Sequence, residues 1–201
     1  MTFPKKIAIV ILAAGASSRM GEAKQLLPWQ DTTLLGNAIR NAKASHANSV
    51  TVVLGANAEA IRNEISESQI AIVENRGWAS GLGSSIACGT IFLLRKKNKP
   101  KGILVMLADQ PLIDPAYLNA MMAVFNPRQE MIIATAYEDR AGVPALFSKD
   151  YYKKLTNLDD DFGAKKIIDC DKKKVSILNF GKITVDIDTK SDYKKVNKDL
   201  S

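Results

Sequence analysis

The chain has 201 residues, 21.9 kDa, 46% of them hydrophobic and 24% charged, which is enough to bury a core without disulfides or metal and excludes a disordered chain or a fibre. Its net charge of +7 and pI near 9.3 admit nucleic acid, anionic lipid or phosphorylated small molecules as partners. No zinc-finger or RNP signature accompanies the lysines and only 6% of residues are aromatic, so nucleic acid ranks last, behind a plainly solvated surface and an anionic substrate.

The elements follow one another as buried strands and amphipathic helices. Ile7 to Ala13 is a nearly continuous apolar run, the pattern of a strand covered on both faces. Thr33 to Ala44 has helical apolar spacing at Leu34, Leu35, Ala38, Ile39 and Ala42. Val50–Leu54 and Ile70–Val73 read as strands, Ser84–Leu94 as a helix and Gly102–Leu107 as another buried strand. Asp114 before Pro115 is a helix-start signal for a helix running to about Phe125. Met131–Ala136 is a further strand. Beyond it come short strands at Val143–Phe147, Val175–Leu178 and Ile183–Val185, with helices near Lys149–Leu155 and Ala164–Ile168 and a last helix from about Thr189. Leu158–Gly163 reads as a charged surface connection. The alternation predicts one α/β domain over residues 1–201, a doubly wound, mostly parallel, Rossmann-like sheet.

No apolar run approaches the ~20 residues of a membrane span. IAIVILAAGA is better explained as a strand than as a signal peptide, because a glycine-bearing charged loop follows it. A cytoplasmic protein without a membrane partner is expected. Cys88 and Cys170 lack metal-ligand spacing, which argues against structural zinc. His46 has no nearby acidic residue and is expected at a helix end.

Four segments fall where such a sheet binds ligands, beyond the carboxyl ends of its strands. The first strand runs into Ala13-Ala14-Gly15-Ala16-Ser17-Ser18-Arg19-Met20-Gly21 and then Lys24. Small residues there let backbone N–H groups approach a phosphate, and Arg19 and Lys24 add full charges. The loop has neither a Walker A nor a dinucleotide pattern, so it is a phosphate loop of another kind or a glycine-rich turn. Asp109 stands where an apolar strand emerges, the place of a metal ligand or of a turn cap. Gly81-Leu82-Gly83-Ser84-Ser85 opens a helix and either reads a base or merely caps. Asp188 either supplies a second carboxylate to a metal or belongs to a helix cap with Thr189 and Asp192.

Together these segments resemble the MobA-like nucleotidyltransferases. Leu12-Ala13-Ala14-Gly15-x-Ser17-x-Arg19-Met20-Gly21-x-x-Lys24, then Leu26-Leu27-Pro28, is similar to their signature loop. With Gly81–Ser85, Ala108-Asp109-Gln110-Pro111, Gly142–Phe147 and Asp186-Ile187-Asp188-Thr189, the set is most similar to the molybdenum cofactor cytidylyltransferase branch. The resemblance implies the nucleotide-diphospho-sugar transferase fold and Mg2+-dependent transfer of CMP from CTP to a phosphorylated pterin, the molybdenum cofactor, with a molybdenum hydroxylase as partner. Another phosphorylated acceptor, or a cofactor-carrying chaperone, are the alternatives. It further implies that Leu12, Ala13, Ala14 and Gly15 frame the nucleotide and that Arg19 and Lys24 hold the triphosphate. Gly83 and Ser85 would lie against the base, and Asp109 and Asp188 would hold magnesium. Ala14, often glycine in guanylyl relatives, narrows the base pocket toward a pyrimidine. Relatives commonly show Gly-Asp-x-Gly-Ala-Arg where this chain has Asp160-Asp161-Phe162-Gly163-Ala164-Lys165, which points to a changed acceptor if that loop touches it.

Overall fold

The computed structural model describes residues 6–18, 20–65, 70–137, 140–179, 181 and 185–199. Its centre is a seven-stranded sheet built from β1 (Ile7–Ala13), β4 (Ser49–Leu54), β5 (Ala71–Glu74), β6 (Gly102–Leu107), β7 (Ile132–Ala136), β8 (Ala141–Ser148) and β9 (Val175–Leu178). The spatial order is β5-β4-β1-β6-β8-β7-β9. All pairings are parallel except those of β8, which runs antiparallel to β6 and β7. A two-stranded ribbon, β2 (Pro28–Trp29) with β3 (Thr32–Thr33), stands apart. Because β8 alone is reversed, the carboxyl ends of β1, β6, β7 and β9 lie along one edge of the sheet, together with the start of β8. The mostly parallel, doubly wound sheet expected from the sequence is present.

Side-chain alternation divides the core into two layers. Ile7, Ile9, Ile11, Leu104 and Met106 face α1 (Leu34–Ala44), α2 (Ala58–Glu64) and α4 (Pro115–Val124). Ala8, Val10, Ile103 and Val105 face α3 (Leu82–Leu94), α5 (Tyr152–Thr156) and α6 (Lys165–Cys170). A strand buried on both sides has no polar alternation, which is why β1 and β6 read as unbroken apolar runs. The C-terminal helix α7 (Lys190–Asp199) docks separately, with Val196 among Met20, Leu27, Trp29, Leu34 and Ile187. No helix among the described residues is long and apolar enough to cross a membrane.

Helix starts follow the capping residues. Thr33 Oγ1 accepts from Gly36 N–H at 3.0 Å to open α1, and Asp114 Oδ1 accepts from Tyr117 N–H at 2.7 Å to open α4 behind Pro115. Losing such an oxygen leaves a helix donor unsatisfied. Asp114→Ala is therefore expected to cost about 1 kcal/mol, seen as a lower denaturant midpoint at unchanged slope; an unchanged midpoint would remove the cap from the account. The short helix α2, the β2–β3 ribbon and the single 3-10 turns at Lys24–Leu26, Trp78–Ser80 and Lys172–Lys174 were not anticipated from the sequence. The strand expected at Ile183–Val185 falls largely outside the described residues.

Candidate active site

The loop leaving β1 is shaped by a buried amide. Gln25, 3% exposed, donates from Nε2 to the carbonyls of Ala13 (3.1 Å) and Gly15 (2.9 Å), while its Oε1 accepts from Ser17 Oγ at 3.3 Å. Ser17 Oγ also accepts from Lys24 N–H at 3.1 Å. Two carbonyls of the loop are thus occupied, and the loop is drawn back onto the residue after Lys24. Ser17 has φ +55°, the left-handed region, which turns the chain at this point. Arg19 lies outside the described residues. Ala14 is buried, its carbonyl accepts from Ala56 N–H at 2.9 Å, and its methyl lies against Gly55.

The loop delivers Lys24 to two carboxylates. Its Nζ pairs with Asp109 Oδ2, with Asp188 Oδ1 at 3.0 Å and with the carbonyl of Ile187 at 3.2 Å. These partners are 85 and 164 residues away in sequence for Asp109 and Asp188. Asp109 follows β6, where Ala108 N–H donates to the carbonyl of Leu12 at 3.1 Å and extends the strand pairing by one step. Ile187 N–H donates to the carbonyl of Asp109 at 3.1 Å, so the segment carrying Asp188 is fastened to the same strand end. The start of α7 is capped by others: Asp192 Oδ2 accepts from Thr189 N–H at 2.8 Å, and Thr189 Oγ1 accepts from Asp192 N–H at 3.2 Å. Asp188 N–H also donates to Asp192 Oδ2 at 3.3 Å, while its carboxylate reaches Lys24.

Electrostatically the pair is uneven. Asp109 is 9% exposed, and among the described residues its buried Oδ1 has no hydrogen-bond partner. Burial pushes its carboxyl above the ordinary range, against the opposing pull of Lys24. Burial alone would lower the Lys24 ammonium, but Asp109 and Asp188 outweigh it and hold the charge in place. Beside them Asp186 is pushed up to about 6, chiefly by burial. Gln110, fully buried, has Nε2 2.7 Å from Tyr137 Oη, 2.8 Å from Asp186 Oδ1 and 3.1 Å from the carbonyl of Val143. The turn cap considered for Asp109 is not its role here, since its side chain reaches Lys24 and Asp114 caps the following helix.

In front of these groups is a cavity of about 470 Å³. It is lined by Leu12–Ala16, Ser18, Lys24, Gln25, Trp78, Ala79, Gly81, Leu82, Ser85, Leu107–Asp109 and Asp161. Leu12, Ala13, Ala14, Gly15, Lys24, Ser85 and Asp109 are therefore brought together. Asp188 joins through Lys24. Gly83 has a different place: it is buried, its N–H donates to the carbonyl of Asp160 at 2.8 Å, and it is not among the lining residues. Asn75 arranges the start of α3, donating from Nδ2 to Ser84 Oγ (2.8 Å) and Ser85 Oγ (3.0 Å).

Two features were hidden from the sequence. Gln25 had only one signal, a polar residue set beside the apolar pair Leu26-Leu27. The Leu158–Gly163 segment is more than a surface connection, because its backbone packs on the start of α3 and Asp161 enters the cavity wall. His46 is exposed at the end of α1, as expected. Cys88 is half-buried, and burial pushes its thiol up, away from nucleophilic character.

Fold and site together define a nucleotidyltransferase of the nucleotide-diphospho-sugar transferase fold. The description "MobA-like NTP transferase domain" matches residues 9–175, and the chain belongs to this family. It is 26% identical over 185 residues to the molybdenum cofactor cytidylyltransferase of Escherichia coli K12, covering 92% of each chain. It is 35% identical over 119 residues to nicotine blue oxidoreductase of Paenarthrobacter nicotinovorans, where the match spans 59% of this chain and 56% of that protein. Among solved structures, Rv0371c of Mycobacterium tuberculosis H37Rv superposes with a TM-score of 0.83 at 32% identity, over 98% of this chain and 100% of that one. A structure of the same protein in complex with manganese gives 0.77 at 31% identity, over 96% and 98%.

Proposed function

We propose that this protein is a divalent-cation-dependent cytidylyltransferase that moves CMP from CTP onto the phosphate of the molybdenum cofactor and releases pyrophosphate. The observation that carries the reading is Lys24 bridging Asp109 and Asp188 at the edge of a nucleotide-sized cavity. The near full-length likeness to a molybdenum cofactor cytidylyltransferase supports the choice of base and acceptor. In this reading a molybdenum hydroxylase is the eventual recipient, and the reaction takes place in the cytoplasm.

The residues suit magnesium. Among the described residues Asp109 Oδ1 is a buried acceptor without a hydrogen-bond partner, and a second carboxylate stands across the same ammonium. Mg2+ is commonly held by one or two carboxylates and completes its shell with water and phosphate oxygens. Asp109 and Asp188 would hold it, and bound there it would neutralise charge on the triphosphate.

The chain's own groups do the rest by position. An oxygen of the acceptor phosphate, already ionised at neutral pH, forms the new bond to the α-phosphorus. The bond from that phosphorus to the α–β bridging oxygen breaks, and pyrophosphate leaves with the electron pair. No general base is required. The Gly15–Ser18 backbone lies against the phosphates, Lys24 supplies positive charge to the departing pyrophosphate, and Arg19 is assigned the same task from the resemblance alone. Leu12 and Ala13 flank the nucleoside, Ser85 lies against the base, and the Ala14 methyl limits its size.

A second reading changes only the acceptor. Lys165 lines a separate cavity of about 700 Å³ with Arg140 and Lys172, near the carboxyl ends of β7 and β9. A lysine there gives up the bidentate phosphate grip of the arginine common in relatives. That favours a different phosphorylated acceptor, such as a sugar or polyol phosphate.

The test is pyrophosphate release with Mg2+ from CTP, GTP, ATP and UTP, each with and without molybdenum cofactor. Release only with CTP plus cofactor is expected. Nucleotide binding without release sends the search to the second reading. Ala14→Gly is expected to relax the preference for CTP over GTP by about tenfold, the scale of one methyl group in a pocket; a variant that kept its full preference would clear Ala14 of that role.

A further inference from the structure

Asp161 has no part in the mechanism above, yet its carboxylate forms part of the cavity wall. The position is built. Gly81 has φ +103° and extended ψ, which only glycine adopts without strain, and a Cβ there would collide with Asp161 Oδ1 and stand 2.9 Å from Asp161 Cα. A Cβ on Gly83 would stand 2.7 Å from the carbonyl oxygen of Asp160, where Gly83 N–H instead makes a 2.8 Å hydrogen bond. Two missing side chains thus let the Asp159–Gly163 backbone lie directly on the first turn of α3.

Within that loop the acids behave differently. Asp160 is engaged locally: Oδ1 accepts from Phe162 N–H at 3.1 Å and Oδ2 is 3.9 Å from Lys166 Nζ. Among the described residues no hydrogen bond or ion pair holds the Asp161 carboxylate. In particular the first-turn N–H of Gly83 goes to a backbone carbonyl, so Asp161 is not the cap of α3.

A bare carboxylate is out of place beside a triphosphate. The reading proposed above gives the phosphates to Lys24 and the Gly15–Ser18 backbone and the base to Ser85, and Asp161 packs against Gly81, in the same turn as Ser85. Asp161 is exposed and its carboxylate is solvated before a ligand enters; a base that displaces this water must offer the carboxylate, a pure acceptor, a donor in exchange. Cytosine presents one in its N4 amine, uracil presents a repelling O4 at the same position, and carboxylate to cytosine N4 is a recurrent pairing. Guanine also carries suitable donors, so the choice of cytosine rests on the function proposed above and on the Ala14 methyl.

We infer that Asp161 is a specificity residue that accepts a hydrogen bond from the N4 amine of cytosine and thereby rejects UTP. Replacement by asparagine keeps an acceptor but adds a donor for uracil O4, whereas alanine removes both.

The experiment is calorimetric binding of Mg·CTP, Mg·UTP and Mg·pyrophosphate to wild type, Asp161→Asn and Asp161→Ala, with melting temperatures recorded for each. Wild type is expected to prefer CTP. In Asp161→Asn the CTP-to-UTP ratio should fall by about ten- to a hundredfold, the range for a lost base contact, and Asp161→Ala should lose discrimination through weaker CTP binding together with a smaller gain in UTP affinity, since the repulsion of O4 goes with the carboxylate. Pyrophosphate affinity should not move in either. An unchanged ratio overturns the inference, as does an equal loss for all three ligands, which would mark a loop-supporting role. Wild type binding CTP and UTP alike sinks the Asp161 assignment and leaves the nucleotidyl reading standing. Wild type binding neither sinks both.

Discussion

Asp109→Asn is expected to lower pyrophosphate release by about 10²–10³-fold, the usual scale for removing one group that stabilises developing charge, while the protein melts at or above the wild-type temperature. The two halves of this expectation come from one observation. Asp109 is buried, one of its oxygens has no partner among the described residues, and burial pushes its carboxyl above the ordinary range despite Lys24. A folded-state pKa above the unfolded one means that ionisation weakens the fold as pH rises through it, a cost the amide avoids. A residue that is unfavourable for folding where it stands, but aimed into a ligand cavity, is best explained by what it does there. Activity and melting are measured on the same preparation. Near wild-type release with magnesium would remove Asp109 from the metal site, and a large drop in melting temperature would make it a structural residue instead.

The fold was legible because its strongest segments are buried on both faces. β1 and β6 have no competing period, and Asp114-Pro115 marks a helix start by local chemistry alone. What escaped was either short or non-local. The ribbon of Pro28–Trp29 with Thr32–Thr33 is two residues a side and has no alternation to read. Spacing does not separate Asp188 from a helix cap, and the structure shows both: its N–H joins the local Thr189–Asp192 cap, while the Ile187-to-Asp109 clamp, a tertiary contact, brings its carboxylate to Lys24. The resemblance sets Gly83 against the base, and the structure adds a packing reason for the glycine that the sequence does not show, the close approach of the Asp160 backbone. The same loop shows why a charged stretch misleads. Asp160 and Asp161 are adjacent acids in the sequence, and only the packing on α3 turns one inward to the loop and the other to the cavity.

Lys24→Ala carries the other large expectation, and it has two parts of opposite sign. Without nucleotide, the variant should bind Mn2+ about tenfold or more tightly than wild type. Lys24 Nζ stands between the carboxylates proposed for the metal, 3.0 Å from Asp188 Oδ1 and paired with Asp109 Oδ2. Even at an effective dielectric of 20, two unit charges of like sign 4 Å apart repel by about 4 kcal/mol, so an ammonium there opposes a divalent ion strongly. With CTP present the advantage should shrink, because the triphosphate offers the lysine another set of anionic oxygens and draws it away. Turnover at saturating CTP should nevertheless fall by about 10²–10³-fold, since the charge that would steady the departing pyrophosphate is gone. Paramagnetic resonance of free Mn2+, with and without CTP, reads the first part independently of catalysis. Equal Mn2+ affinity in the two proteins would mean that Lys24 moves aside freely and does not hold the metal's place, and an unchanged rate at saturation would confine it to ground-state binding. If both parts hold, metal and triphosphate enter together: the metal alone meets an occupied site, and the nucleotide that accompanies it provides the lysine's next partner.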